Sequence, residues 1–298
     1  MESIITYSRC PVCGSAQIKE AIQVKDHSVS GKQFSVWGCA ECQFRFTQHV
    51  PDADSIGPYY QSEAYISHSN TQKGLVNRLY HKVRKITLAN KRKLIGKITG
   101  QATGNLLDIG AGTGAFASYM AQSGWRVTGL EPDAQARKVA SEAHRIQLLP
   151  IDELFGLPVQ HYDAITMWHV LEHVHDLAGY MAQLKKLLKP GGCLFIAVPN
   201  YISYDAERYK DYWAAYDVPR HLYHFSPQSM KKLLERNGLK LKACKPMWFD
   251  SFYVSMLSEK YLTGNSSIIK GAWVGALSNM IALSDKERCS SLIYCITL

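Results

Sequence analysis

Residues 106–116, LLDIGAGTGAF, constrain the fold most strongly because an acid and three glycines follow an apolar run at fixed intervals. Glycine lets the backbone adopt positive φ and approach a ligand closely. A run of helical character, AFASYMAQSG, comes next, and the unpaired N–H groups at its start face the same space. This order predicts a buried strand, a tight turn and a helix N-terminus, which form a nucleotide-type pocket.

Two acidic residues indicate which nucleotide the pocket takes. Glu131 closes the next strand-like run, RVTGLE, where a carboxylate accepts both ribose hydroxyls. Asp108 opens the glycine loop, where a negative charge would repel a pyrophosphate but attract an ammonium and a sulfonium. We therefore predict S-adenosylmethionine as the cofactor. Its predicted contacts are Asp108 and Glu131 together with Gly110, Gly112 and Gly114.

These motifs resemble those of the class I S-adenosylmethionine-dependent methyltransferases over roughly residues 60–298. YDAITMWHVLEHVHD at 162–176 is similar to the family's fourth strand and the loop behind it, and LKPGG at 188–192 to the turn into its fifth strand. PRHLYHFS at 219–226 resembles a segment of a subgroup with ubiquinone-type O-methyltransferases and sugar C-methyltransferases. The resemblance implies O- or C-methylation of a small molecule or of a carrier-bound sugar, lipid or quinone-like acceptor.

The alternation of strand-like and helical runs predicts an α/β fold with a doubly wound, mostly parallel sheet. LKLKACKP and SSLIYCITL supply the sixth and seventh strands, and the resemblance implies that the seventh is antiparallel at or near an edge. The apolar segment at about 250–283 is expected to be a helical insertion, which could serve as core packing, a lid, a dimer face or a membrane-surface patch. The first five predicted strands lie near 105–109, 126–130, 146–149, 163–168 and 193–198.

Four of the eight cysteines form two CxxC pairs, CPVCG and CAEC, separated by twenty-five residues. Two such knuckles direct four thiolates at one tetrahedral ion, and Gly14 relaxes the first turn. A redox pair is the alternative, but redox CxxC motifs usually occur singly at a helix start. We predict a structural zinc ribbon in residues 1–50, with Zn²⁺ held by Cys10, Cys13, Cys39 and Cys42.

A basic stretch lies between the ribbon and the glycine loop, within a chain of net charge +9. Residues 51–99 are predicted to be a connector followed by this basic helix, and residues 100–298 to be the methyltransferase domain. The helix is interpreted either as a solvated face or as a surface for phosphate, RNA or anionic lipid. Its cations include Lys73, Lys82, Lys85, Lys91 and Lys97, and its expected packed face is Leu75, Leu79, Val83, Ile86, Leu94 and Ile98.

Histidine clusters follow two of the predicted strands. His169, Glu172 and His173 would share one face of a helical turn, which could hold a divalent ion. In the ubiquinone-type enzymes that this stretch resembles, a carboxylate stands where this chain has His169, and a metal is bound. The alternative is that Glu172 and His173 order loops by hydrogen bonding.

The second cluster supplies the candidate catalytic residues, His221, Tyr223 and His224. Ser226 and the proline after it predict a helix N-terminus, which leaves these side chains on a loop. Histidine can act as a general base near neutral pH. The resemblance to zinc-module sugar C-methyltransferases implies that a tyrosine and a histidine here abstract a proton. The other interpretation is that these side chains only order the loop.

Further contacts to the cofactor are expected from Asp152, His169 and Tyr60, and Tyr59 and Tyr65 of the connector could close over cofactor or substrate. Aromatic packing between domains is the alternative for the tyrosines, and a solvated loop acid is the alternative for Asp152.

The expected partner is a small-molecule or carrier-bound acceptor. Methylation of RNA or protein, and a non-catalytic module that recruits RNA or a protein, are the alternatives, with nucleic acid less favoured because no RNA-recognition motif occurs. Peripheral membrane contact through the apolar insertion stays open, and the sequence does not specify an oligomeric state. No run of eighteen apolar residues and no signal pattern occur, so a cytoplasmic location is expected.

Overall fold

The structure is a computed structural model that describes residues 3–61, 75–265 and 267–298. Tyr65 and Lys73 lie outside the described residues. The chain divides into two compact units, which are described separately. Unit 1 comprises Met1–Ile66, Leu171–Leu177 and Ala197–Tyr294, and unit 2 comprises Ser67–Val170, Ala178–Ile196 and Cys295–Leu298.

The strands of the described chain are β1 (Ile4–Ile5), β2 (Ile18–Lys25), β3 (Gln33–Cys39), β4 (Arg45–Thr47), β5 (Val50–Pro51), β6 (Asn105–Ile109), β7 (Arg126–Leu130), β8 (Tyr162–Trp168), β9 (Leu188–Pro199), β10 (Tyr223–His224), β11 (Lys240–Pro246) and β12 (Ser291–Thr297). The α-helices are α1 (Leu75–Thr99), α2 (Ala115–Gln122), α3 (Ala134–His144), α4 (Leu177–Leu187), α5 (Tyr204–Tyr209), α6 (Pro227–Arg236), α7 (Asp250–Thr263) and α8 (Ile268–Ser284). Short 3-10 helices cover Gly57–Tyr60, Ile151–Gly156, Leu171–His173, Lys210–Tyr212, Ala214–Tyr216 and Lys286–Arg288.

An antiparallel sheet in unit 1 has the strand order β10-β4-β3-β2, and β1 pairs with β5. The β2–β3 hairpin runs from the pair Ile18↔Cys39 to the pair Lys25↔Gln33. Strand β10 pairs with β4, with Tyr223 opposite Phe46. The sheet beside the cysteine knuckles is therefore completed by a strand from the C-terminal half of the chain.

The central sheet has six strands in the order β11-β12-β9-β8-β6-β7 and is mostly parallel. Strand β6 pairs in parallel with β7 on one side and β8 on the other. The side chains of β8 are buried except at its end, as expected for a strand covered on both faces. The predicted doubly wound α/β class is confirmed, whereas the predicted count of seven strands is wrong.

The strand expected at 146–149 is reduced to one bridge between Leu149 and Leu130. The Leu149 N–H donates to Gly129 O at 2.9 Å, and the Glu131 N–H donates to Leu149 O at 2.9 Å. Pro150 follows in an extended conformation, and its nitrogen faces away from β7 because Leu149 makes both bonds to that strand. The chain turns instead into the 3-10 helix Ile151–Gly156.

The packed face of α1 differs from the prediction. Ile95 is fully buried, whereas Ile86, which we expected to pack, is 41% exposed. Nine residues separate the two, which is about 180° of rotation at roughly 100° per residue, so they lie on opposite faces. The helix is therefore oriented with Ile95, and not Ile86, toward the protein interior.

The segment predicted as a helical insertion contains α7 and α8. Their packing depends on glycine, because a Cβ at Gly275 would lie 2.8 Å from Phe252 Cα of α7. Gly271 is equally crowded by Met256. Within the described ranges, no helix has the length and apolar character needed to cross a bilayer.

Candidate functional site

The glycine loop of unit 2 connects β6 to α2 with the predicted geometry. Gly110, Gly112 and Gly114 have φ values of 70°, 54° and 77°. A Cβ at Gly114 would lie 2.8 Å from Ala140 Cβ, so this glycine lets α2 pack closely. A Cβ at Gly112 would have no neighbour within 4 Å among the described atoms. Space beside the backbone at Gly112 is therefore available to a ligand.

Asp108 is 1% exposed at the carboxyl end of β6. The Thr166 hydroxyl of β8 donates a hydrogen bond of 2.6 Å to its Oδ1. Burial raises the pKa of Asp108 to about 7, although the Thr166 hydrogen bond and the charge of Lys91 act in the opposite direction. A buried carboxylate of this kind is stabilised when a cationic ligand binds beside it.

Glu131 follows β7 directly and joins the loop to that strand. Its Oε2 accepts the Gly112 N–H at 2.7 Å, and its Oε1 accepts the Asp133 N–H at 3.0 Å. Burial raises its pKa despite these two hydrogen bonds. A carboxylate has about four acceptor positions, so each oxygen keeps capacity for a ribose hydroxyl.

A cation near this loop was missed as a functional candidate. The Lys91 Nζ of α1 lies 4.1 Å from the centroid of the Trp168 ring and 5.7 Å from that of Phe116. The two rings contact each other edge to face at 5.5 Å. Sequence periodicity placed Lys91 on a solvated helix face, and no local signal marked the aromatic pair that orients it.

The other two cofactor candidates of unit 2 lie in loops. Asp152 is exposed in the first turn of Ile151–Gly156. His169 is half-buried after β8 with φ of 58°. This left-handed backbone removes His169 from the helical turn that it was expected to share with Glu172 and His173, because only Leu171–His173 is helical.

In unit 1 the donor atoms of Glu172, His173 and His221 lie within 4.8 Å of one another. His221 therefore occupies the place in this group that the sequence interpretation gave to His169. The rings of His173 and His221 meet edge to face, with centroids 4.6 Å apart. A chain separation of 48 positions hid this pairing from sequence analysis.

Hydrogen bonds to carbonyls fix the tautomers of both histidines. His173 Nδ1 lies 3.0 Å from Arg220 O, and His221 Nδ1 lies 2.8 Å from Ala215 O. A carbonyl only accepts, so each Nδ1 carries a proton. Burial lowers the pKa of His173 to about 4, and the neighbouring His221 lowers it further. The Tyr60 hydroxyl, an expected cofactor contact, lies 3.2 Å from His173 Nδ1.

Arg220 lies at the centre of a buried ionic network. Its Nε and one terminal nitrogen donate to the two carboxylate oxygens of Asp217 at 3.1 and 2.7 Å, and the same terminal nitrogen donates to Asp26 Oδ1 at 3.0 Å. Its other terminal nitrogen donates to Tyr59 O at 2.8 Å. Burial alone would raise the pKa of Asp217, but the bonds to Arg220 and the charge of His221 outweigh it, so the pKa is lowered.

Tyr223 and His224 make hydrogen bonds of their own within unit 1. Tyr223 is 2% exposed, and its hydroxyl donates to His175 O at 3.2 Å. His224 Nε2 lies 3.0 Å from Thr47 Oγ1, whose own proton is donated to His221 O at 2.7 Å. Burial holds the pKa of His224 well below its usual value. Both side chains are engaged in packing unit 1, so their predicted catalytic role rests on the resemblance alone.

The four cysteines of the predicted ribbon converge. Cys10 Sγ lies 3.6 Å from Cys42 Sγ, and Cys13 Sγ lies 3.5 Å from Cys39 Sγ. A tetrahedral zinc ion with bonds of about 2.3 Å places its sulfurs roughly 3.8 Å apart. The spacing fits such an ion and is far longer than the ~2.05 Å of a disulfide.

The two knuckles share a backbone design. Gly14 N–H donates to Cys10 O at 2.9 Å, and Gln43 N–H donates to Cys39 O at 3.0 Å. The two donors have φ of 74° and 59°. The glycine of the first knuckle was predicted, but the second reaches the same turn with glutamine.

The methyltransferase domain family matches residues 79–243, more than half of the chain. The match contains the glycine loop, both buried acids and the histidine group. The chain belongs to this family and is a class I S-adenosylmethionine-dependent methyltransferase by its fold and motifs.

Among curated proteins, the chain is 28% identical over 163 residues to the mitochondrial ubiquinone biosynthesis O-methyltransferase of Rattus norvegicus, covering 49% of this chain and 47% of that protein. It is 30% identical over 128 residues to the ubiquinone biosynthesis O-methyltransferase of Bordetella avium, covering 40% of this chain and 52% of that protein. The chain thus spans about half the length of the curated relatives it matches. A Haemonchus contortus phosphoethanolamine N-methyltransferase 2 structure with S-adenosyl-L-methionine matches at a TM-score of 0.49 and 18% identity, covering 70% of this chain and 52% of that one.

Proposed function

We propose that the protein transfers a methyl group from S-adenosylmethionine to an oxygen or carbon of a small-molecule or carrier-bound acceptor. The observation that carries this proposal is the pair of buried acids, Asp108 and Glu131, on either side of the open backbone at Gly112. The similarity to ubiquinone biosynthesis O-methyltransferases supports a small-molecule acceptor and, among the expected classes, favours a quinone-like one.

The acids have distinct roles in the proposal. Bound S-adenosylmethionine supplies an electrophilic methyl group next to a sulfonium. Asp108 attracts the cationic methionine portion, and Glu131 accepts the ribose hydroxyls while it holds the loop through Gly112. Lys91, oriented by Trp168, offers a cation for the cofactor's carboxylate.

His221 is the proposed general base on the acceptor side. Its Nδ1 proton is held by Ala215 O, so Nε2, which lies 4.0 Å from Asp217 Oδ2, is the ring nitrogen that would take a proton from a hydroxyl or an acidic carbon. Its neighbour His173 is neutral at physiological pH and therefore does not compete as a second positive charge. A positioned base typically contributes about 10²- to 10⁴-fold to the rate.

The Glu172–His173–His221 group also fits a divalent ion, which is the second candidate for this site. Metal-binding histidines commonly donate their other ring N–H to a carbonyl, as His173 and His221 do here. Elemental analysis of the wild type and of Glu172→Gln tests it. A metal in the wild type beyond the one expected at the cysteines, lost in the variant, supports this candidate; equal metal content in both contradicts it.

Structural zinc at the four cysteines is part of the proposal. Removing it should unfold residues 1–50 while S-adenosylmethionine binding persists. The check is chelation followed by circular dichroism and calorimetric titration of the cofactor. Retained structure after complete metal removal, or oxidised cysteines in the purified protein, would contradict the zinc ribbon.

The activity is tested with labelled S-adenosylmethionine and cell extract separated into small molecules, lipids, RNA and protein. Label in the small-molecule or lipid fraction, reduced at least 100-fold by His221→Ala but not by the exposed-site control His161→Ala, is expected. Label in RNA or protein would support a macromolecular methyltransferase instead. Cofactor binding without transfer to any fraction would support a recruitment module.

A further inference from the structure

Helix α8 has two apolar faces, and only one of them is covered. Positions 271, 275, 278 and 282 fall within about 60° of one another at roughly 100° per residue, and this face is buried. Through Gly275 and Gly271 it lies against α7. A helix that is apolar all round is normally buried all round.

The opposite face carries large exposed side chains, here called the α8 stripe. Its members lie within roughly 80° of arc over about 21 Å of helix. Ile269 is 84% exposed, Trp273 67%, Met280 64% and Leu283 72%, and the half-buried Ala276 lies between them.

We propose that the α8 stripe is the contact surface of a homodimer, in which α8 packs antiparallel on α8 of a second copy about a two-fold axis at Ala276. Ile269 and Leu283 lie seven residues on either side of Ala276, and Trp273 and Met280 lie three and four residues away, so the two halves of the stripe match to within one residue. In an antiparallel pair, Ile269 meets Leu283 of the other copy, and Trp273 meets Met280. A two-fold interface requires such reciprocal contacts.

The size of residue 276 suits this axis. On the axis, Ala276 of one copy meets Ala276 of the other. This small side chain lets the two helix backbones approach while the larger side chains fill the space on both sides. A bulky residue at the midpoint would hold the helices apart.

Charge favours a second copy over an anionic membrane. Lys270, near the start of α8, is the helix's one charged residue, and Asp285 directly follows its end. Membrane-surface helices are instead rich in lysine and arginine beside the apolar face. Antiparallel pairing places Lys270 near Asp285 of the other copy and opposes the two helix dipoles.

The exposed area predicts a weak dimer. Four large side chains, each about two thirds exposed or more, present on the order of 500 Å² per copy. A pair would bury about 1,000 Å² in total, which is at the lower limit for a specific interface. We therefore expect a dimer that dissociates on dilution in the micromolar range.

Sedimentation equilibrium of the full-length chain tests the proposal at concentrations between about 1 and 100 μM. The wild type should convert from monomer to dimer, and Trp273→Glu should weaken association at least tenfold. Trp273 is exposed, so its variant should keep the wild-type circular dichroism and melting temperature. Val159→Glu adds the same charge at another apolar site, 66% exposed, and should dimerise like the wild type.

The register has its own test. Ala276→Cys should form an intermolecular disulfide under mild oxidation, because the two-fold axis brings the two introduced thiols together. The wild type and Val159→Cys, oxidised in parallel, should not cross-link. A monomeric wild type over the whole range, association unaffected by Trp273→Glu, or a monomer that binds anionic vesicles through Trp273 would overturn the proposal.

Discussion

Two buried acids, Asp108 of unit 2 and Asp26 of unit 1, have opposite pKa shifts. In unit 2, burial raises the pKa of Asp108 to about 7, and its hydrogen-bond partner is a hydroxyl. In unit 1, burial acts in the same direction on Asp26, but the Ser30 donors and Arg220 outweigh it, so the pKa of Asp26 is lowered. Asp26 is already paired with arginine and is structural. Asp108 accepts from a neutral hydroxyl, so a cationic ligand would offset the cost of burying its charge.

Arg220→Met should produce the largest effect, a loss of folding stability, because it removes the cation that helps to lower the pKa of Asp26. It leaves the buried Asp26 and the half-buried Asp217 without their cation, which should lower the free energy of unfolding by about 3–5 kcal/mol at pH 7. Urea unfolding measures this loss. The exposed-site control Arg208→Met should change the free energy by less than about 0.5 kcal/mol.

The loss caused by Arg220→Met should shrink as the pH falls. Asp26 and Asp217 have lowered folded-state pKa values, so their contribution is present above the ordinary carboxyl pKa of about 4 and is lost below it. In the variant both acids become protonated more readily. An equal loss at pH 7 and pH 3 would show that the ion pairs are not its cause.

Asp108→Asn should have the next largest effect, in two opposite directions. Losing the charge should weaken S-adenosylmethionine binding about 30- to 100-fold, which corresponds to roughly 2–3 kcal/mol for a charged hydrogen bond. The ligand-free variant should melt several degrees higher at pH 8, since a buried charge is gone. Calorimetric titration measures the affinity, and thermal unfolding measures the melting temperature. The exposed-site variant Glu142→Gln is the control. A ligand-free protein destabilised by the substitution would contradict the assignment.

Changing the pH should affect cofactor binding less than Asp108→Asn does. The effect should follow the protonation of Asp108. Because the pKa of Asp108 is about 7, affinity should fall up to about tenfold per unit as the pH drops below 7. The stability of the ligand-free protein should instead increase as the pH drops. A raised folded-state pKa contributes stability that is lost as the pH rises from about 4 to about 7. Asp108→Asn should flatten both profiles.

Glu131→Gln should have the smallest effect, about tenfold in affinity, because glutamine keeps one acceptor oxygen. The loss should be equal for S-adenosylmethionine and S-adenosylhomocysteine, since both carry the ribose. Asp108→Asn should instead penalise S-adenosylmethionine more, because only that ligand has a sulfonium. If each variant lost affinity for the two ligands in the same proportion, the distinct roles proposed for Asp108 and Glu131 would be wrong.

The features predicted correctly from the sequence were those formed by neighbouring residues. The strand, the loop of Gly110, Gly112 and Gly114, and the start of α2 lie within one short segment, so spacing alone indicated their geometry. The cysteine knuckles are local in the same way. The apolar pattern at 146–149 was an exception, because it predicted a strand where the structure forms one bridge at Leu149.

The histidine group could not be found in this manner because its parts are distant in the sequence. His173 meets His221, and the Arg220 network adds Asp26 from the β2–β3 turn, nearly two hundred residues away. No spacing rule links such positions. The same limit applies to Lys91, whose aromatic neighbours come from α2 and β8.

The most direct test of the central claim is a calorimetric titration of the full-length protein with S-adenosylmethionine and, separately, with S-adenosylhomocysteine at pH 8. The geometry around Asp108 and Glu131 predicts saturable binding of both ligands at one site per chain, with affinity in the micromolar range. Absence of saturable binding by either ligand would contradict the assignment of the glycine loop as a cofactor site.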